Sequence, residues 1–173
     1  MPNDPYEKLA PVPKLAVRAP FTNGDTLPDA NVAPSHGGQG RSPALEWDAV
    51  DGAAAYLVTC YDPDAPTMSG FWHWVVYNIP GGVTSLPEGA GTGDEVDLPE
   101  GAKAGFNETL GREYRGAAPP AGHGPHRYFF TVSALDATLD IPDNLTGARV
   151  NFMAREHVIA RGHVHAVFEN TGA

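Results

Sequence analysis

Seventeen prolines and twenty glycines break this chain of 173 residues into short segments. Such punctuation favours short strands joined by turns over long helices. The intervening runs agree. Leu15, Val17 and Ala19 alternate with Lys14, Arg18 and Pro20, the period of a half-buried strand. Residues 44–47 form a second short strand candidate. Residues 54–61 are apolar enough to lie between two layers, and Asp62-Pro63-Asp64-Ala65-Pro66 stops them abruptly. Residues 72–79 make another strand, closed by Pro80-Gly81-Gly82. Residues 127–135 make a further one, and Val164, Ala166 and Phe168 alternate as a last. One helix is expected late in the chain, capped by Asn144 or Thr146, running to about Arg161 and ended by Gly162. Residues 87–125 hold little regular structure, with at most one short strand near Val96; a loop of that length is usually functional or disordered. The expected fold is all-β: a β-sandwich of two antiparallel sheets with one peripheral helix near the C-terminus. Residues 1–13 read as a flexible N-terminal arm and 14–170 as one domain.

The net charge is -10 with histidines neutral, so the chain repels phosphate backbones and anionic lipid surfaces. Nucleic acid is therefore excluded as a partner, and any bound anion must be held locally. No apolar run approaches a membrane span, and the N-terminus lacks the basic and apolar regions of a signal peptide; a cytoplasmic location is the expectation. Cys60, the only cysteine, permits no internal disulfide and sits in an apolar run as a buried strand thiol.

Polar groups concentrate at residues 62–66, at residue 73 and at residues 123–128. Strand alternation puts His126 and Tyr128 on one face, about 7 Å apart, and Arg127 on the other. The first two suit a phosphate-like group. Arg127 suits a structural carboxylate, with Asp64 as the expected partner. The same alternation groups His73 with Val75 and Tyr77, and Trp72 with Trp74 and Val76. Taken alone, His73 reads more readily as a satisfied core histidine than as a ligand group. Asp62 and Asp64 bracket Pro63; they are either turn formers or carboxylates that orient histidines.

Other chemistry fits less well. The glycine-rich stretch 35–41 runs into Pro43, without the helix or lysine of a phosphate loop. His123 and His126 are three apart, and His163 and His165 two apart, but no compact ligand set accompanies them, so no metal is expected. No Gly-x-Ser-x-Gly elbow occurs, and Thr67 and Ser69 near Asp62 and His73 do not make a triad.

Two stretches carry a resemblance. Asp62-Pro63-Asp64-Ala65-Pro66 followed by residues 70–80, and then Tyr114-Arg115-Gly116, Pro119-Pro120, Gly122 and His126-Arg127-Tyr128, resemble the signatures of the phosphatidylethanolamine-binding family. The bacterial Raf-kinase-inhibitor-like branch is the most similar. The likeness runs from about residue 15 to 168. It implies a β-sandwich with a small pocket at one end for phosphate-like or carboxylate anions, associated in relatives with phospholipid headgroups or phosphorylated partners. Carried over motif by motif, it makes Asp62, His73, His126 and Tyr128 ligand-binding, with Phe71, Pro120 and Ala118 lining the pocket. Asp64, Pro66 and Arg127 would support it. Ala117-Ala118 stands where many bacterial relatives have a cysteine, so no thiol role carries over. The expectation is a binding protein without a cofactor, not an enzyme, with a small phosphate or carboxylate compound or a phospholipid headgroup as ligand. A regulatory module that inhibits a kinase or protease, and a weak hydrolase using the His–Asp cluster, are the alternatives. A homodimer is a further expectation.

Overall fold

The computed structural model describes residues 3–93 and 97–172. The strands, in chain order, are β1 (Val17–Arg18), β2 (Asp25–Thr26), β3 (Leu45–Trp47), β4 (Ala55–Asp62), β5 (Phe71–Pro80), β6 (Ser85–Leu86), β7 (Lys103–Ala104), β8 (His126–Leu135) and β9 (Val158–Phe168); one α-helix, α1 (Gly147–Ala154), lies between the last two. They form a large sheet in the order β2-β9-β8-β4-β5-β7 and a small one in the order β1-β3-β6. Every pairing is antiparallel except that of the two-residue edge strand β2 with β9. The all-β sandwich with one helix is what the sequence led us to expect.

The central strand β4 alternates strictly, and both its faces are covered. Tyr56, Val58 and Cys60 point into the space between the sheets, where they meet Leu45, Trp47, Trp74 and Phe130. Leu57 points the other way, into a smaller cluster with Val75, Tyr77 and Leu135 that Val150 and Ala154 of α1 close over. A strand buried on both faces has to be apolar at nearly every position, and residues 55–60 are.

The helix is shorter than expected. Thr146 caps it, its hydroxyl accepting from the Arg149 N–H, but it ends at Ala154 rather than near Arg161. The β-branched Val158 and Ile159 join β9, which pairs with β8 along its whole length, so ladder bonds win over helical periodicity. His157 falls in the intervening turn, and its Nδ1–H donates to Asp136. Gly162 is not a helix stop. It sits opposite Val132 in β9, where a Cβ would strike the Leu15 carbonyl. Gly147 allows α1 to close on the Trp72 ring, which a Cβ would meet at 2.7 Å.

Val96 lies outside the described residues. Elsewhere in the long loop, β7 pairs with Val76 and Tyr77, and Tyr114, Ala117 and Asn107 are buried. Residues 13–15 run beside β9, the Arg161 N–H donating to the Pro13 carbonyl and the Leu15 N–H to the Arg161 carbonyl. Tyr6 stacks on His163 at 4.2 Å and its hydroxyl meets that of Thr131. No helix among the described residues is long and apolar enough to cross a membrane.

Candidate functional site

Three strands of the large sheet bring their ends together. Asp62 closes β4, Phe71 opens β5 directly opposite it, and His126 opens β8. Tyr128 follows His126 at the spacing that returns a side chain to the same face, so both are buried on the sandwich side.

His73 reaches this end through an irregularity. Cys60 pairs with Trp74, but the next residue, Tyr61, pairs with Trp72, leaving His73 as an extra residue in β5. Such a bulge breaks the alternation. His73 and Trp74 therefore both lie on the sandwich side. The His73 ring is 5.2 Å from Tyr128 and 4.6 Å from Phe71, while Trp72 turns to the outer face beside Tyr61. The grouping of His73 with Val75 and Tyr77 is thus corrected. The bulged residue is held from the long loop instead of from β4: the Arg115 N–H donates to the His73 carbonyl at 2.8 Å, and His73 Nδ1–H donates to the Arg115 carbonyl at 2.6 Å.

These side chains line a cavity of 360 Å³. Asp62, His73, His126 and Tyr128 line it from the strands with polar groups, and Pro66, Phe71, Ala118 and Pro120 give apolar walls. Every residue assigned to the pocket from the sequence is there. Asp64 and Arg127 stand behind it. Arg127 Nε and Nη2 donate to the two Asp64 oxygens at 2.7 and 2.6 Å, and its backbone N–H donates to Asp64 as well, as the alternation of β8 implied. Sequence reasoning missed Thr67, Thr109 and Gly116, which also line the cavity, and the part played by the Arg115 backbone. Only the bulge explains why Arg115 matters, and the bulge has no plain sequence mark.

Asp62 is committed within the protein. Its Oδ1 accepts from the Asp64 and Ala65 N–H groups at 2.8 and 3.0 Å, and its Oδ2 accepts from His126 Nδ1–H at 2.7 Å. Burial raises its pKa, and the His126 hydrogen bond only partly offsets this. Asp64 is the opposite case: burial pushes it up, but the Arg127 bonds outweigh that and hold it below the ordinary carboxylate range. Burial brings the His73 imidazole down to about 4, so it is neutral near pH 7. With its proton on Nδ1, it presents a lone pair at Nε2, which has no protein partner among the described residues. Tyr128 is pushed up by burial and by the Asp62 charge, so its hydroxyl stays protonated and can donate. His126 Nε2 is not free: it lies 2.8 Å from Nδ1 of the exposed His123. His123, considered from the sequence only as a metal ligand, thus covers one of the site's donors. No group of metal-ligating side chains capable of holding an ion occurs among the described residues.

Comparisons with known proteins bear on the fold and the family. The family model for phosphatidylethanolamine-binding protein matches residues 17–169. The Escherichia coli protein YbhB is 44% identical over 153 residues, covering 84% of this chain and 94% of that protein. The crystal structure of Escherichia coli YbcL, described as a new member of the mammalian PEBP family, superposes with a TM-score of 0.85 at 40% identity, covering 90% of this chain and 98% of that one. A homologue from Chlamydia trachomatis, described as a putative phosphatidylethanolamine-binding protein, gives 0.77 at 26% identity, covering 91% of this chain and 98% of its own. The bulged His73, the Asp62–His126 pair and Tyr128 therefore sit within a chain that belongs to the phosphatidylethanolamine-binding protein family.

Proposed function

We propose that the cavity binds a phosphate ester of the phospholipid-headgroup type, and that the protein holds this ligand rather than transforming it. The observation that carries the reading is the pairing of an open donor with an open acceptor in one mostly apolar cavity. The Tyr128 hydroxyl can donate to a phosphate oxygen. His73 Nε2 can accept from a ligand ammonium or from a protonated phosphate oxygen. A zwitterion such as O-phosphorylethanolamine offers both, and it avoids much of the repulsion that a strongly anionic ligand meets from a chain of net charge -10. His126 adds a third contact when His123 swings away. An Nε2–H of His126 would then donate to a phosphate oxygen while Asp62 accepts from Nδ1–H on the other side of the ring. Because Asp62 already accepts three hydrogen bonds, its role is to position His126 rather than to take the ammonium.

The nucleophiles near the site argue for holding. Cys60 is buried and its thiol pushed up by that burial, and the Thr67 hydroxyl already donates to the Gly70 carbonyl. A few polar contacts on a small ligand predict affinity in the millimolar to micromolar range. NMR titration with O-phosphorylethanolamine tests this. Tyr128→Phe and His73→Ala should each weaken binding by about tenfold, the scale of one lost hydrogen bond to a charged group. Unchanged affinity in both variants would exclude this cavity.

A second reading rests on two exposed apolar side chains at the mouth. Met68 is fully exposed and Leu110 largely so, each next to a lining residue, Thr67 and Thr109. Side chains of that kind suit a protein partner that covers the opening. Met68→Ser with Leu110→Ser would then abolish partner capture while leaving O-phosphorylethanolamine affinity intact.

A further inference from the structure

The outer face of the large sheet is covered twice, by α1 over β4 and β5 and by the N-terminal segment beside β9. Between the two covers lies another cavity of 360 Å³, on the opposite side of the sheet from the family pocket. Thr59 and Thr131 contribute to its floor. Tyr61 and Trp72 wall one side, and Tyr6 and Arg161 the other.

Arg161 stands apart from the other arginines among the described residues. Arg18, Arg41, Arg127 and Arg155 each meet a carboxylate. Arg112 donates to a carbonyl, Arg149 lies over the Phe152 ring, and Arg115 is open to water. Arg161 is half-buried, and its guanidinium has none of these contacts. Burial lowers its pKa, since the charge is partly stripped of water. Its backbone is clamped on both sides by Pro13 and Leu15, so the base of the side chain is fixed.

The walls are rings. Tyr61 and Trp72 lie 4.5 Å apart, and Tyr6 is held against His163. The hydroxyls of Tyr61 and Tyr6 are already bonded, to the Ser69 carbonyl and to Thr131. Thr59 is buried, with no hydroxyl partner among the described residues. Lys8 and Arg161 line the cavity against Asp4 and Glu7, so the local charge balances while the whole chain carries -10. That balance tolerates one negative charge better than two.

We infer that this cavity is a second ligand site, for a small monocarboxylate bearing an aromatic ring. The planar guanidinium of Arg161 takes the carboxylate, Thr59 adds a hydroxyl, and Tyr6, Tyr61 and Trp72 enclose the ring.

The test is a titration of the full chain, labelled with nitrogen-15, with phenylacetate and, separately, with uncharged benzyl alcohol. Saturable shifts at the Trp72 indole N–H and the Arg161 Nε–H are expected with the acid and not with the alcohol. Arg161→Gln should weaken the acid by about tenfold or more, the loss of a charge-assisted bidentate contact. An excess of O-phosphorylethanolamine should not displace it, which separates this site from the family pocket. An absent shift, an equal response to the alcohol, displacement by the phosphate ester, or an unchanged affinity in the variant would each overturn the assignment. If Arg161→Gln fails to fold, the contrast between acid and alcohol in the unaltered chain decides.

Discussion

Asp62 and Asp64 are two residues apart, and each binds one of two consecutive residues of β8, yet they end in opposite circumstances. Asp62 meets His126 inside the sandwich, where both side chains are almost fully buried, at 4% and 2% exposure. Asp64 meets Arg127 behind the site, where about a fifth of each side chain is still wet. One carboxylate is raised by burial and the other held low by a bidentate guanidinium. Strand alternation makes the difference: it turns His126 inward and Arg127 outward, and the turn at Pro63 supplies a carboxylate to each. The inner pair positions a ligand group, and the outer pair clamps the turn that carries it.

The largest effect should come from breaking the inner pair. Asp62→Ala leaves the buried His126 Nδ1–H and the half-buried Asp64 and Ala65 N–H groups unpartnered. Urea unfolding should record a loss of about 3–5 kcal/mol, the scale for one partner removed from a buried pair. O-phosphorylethanolamine binding should disappear with it. A loss no larger than that of Asp64→Ala would erase the contrast.

Next comes pH. In the unfolded chain His73 takes up a proton near its ordinary value of 6.5, whereas the folded chain resists until about 4. The folded value is the lower one, so stability falls as pH drops through that window, by up to roughly 3 kcal/mol. Asp64 contributes stability at neutral pH that is lost only on further acidification, below the ordinary carboxylate range. Unfolding at pH 7 and pH 4.5 should therefore show a smaller drop in His73→Gln than in the unaltered chain. Equal drops would mean that His73 is not held neutral by burial.

Breaking the outer pair should cost less. Asp64→Ala is expected to lower stability by about 1 kcal/mol, since the pair is partly solvated, and to leave ligand affinity within a factor of about two. The smallest effect is a gain. His123→Ala uncovers His126 Nε2, and phosphate-ester affinity should rise a few-fold by calorimetry. A fall would make His123 itself a ligand contact.

Much of this arrangement was legible in residue order. The alternation of β8 sorted His126, Arg127 and Tyr128 correctly, because β8 pairs with β9 without a register shift from His126 to Ala134 and so keeps strict period two there. Asp64, expected separately as the carboxylate for the outward Arg127, is its partner. The same rule failed on β5, where the extra residue at His73 reverses the faces; nothing in Trp72-His73-Trp74 marks a bulge. The resemblance to the family pointed His73 into the pocket where alternation alone left it among core residues. The helix was overextended because residues 157–161 fit a helical face locally, while β8 offered them a long strand partner from far off in sequence. His123 was noticed only for its spacing from His126; that one ring covers the other depends on the path of the loop at 121–125, which a single sequence does not reveal.

Whether His73, His126 and Tyr128 together hold a phosphate ester is decided by a crystal structure of the full chain soaked with O-phosphorylethanolamine. The phosphate is expected within hydrogen-bond distance of the Tyr128 hydroxyl, with a ligand N–H or O–H donating to His73 Nε2 and the His123 ring displaced from His126. Ligand density bound elsewhere, with this cavity holding only water and His123 still against His126, would contradict it.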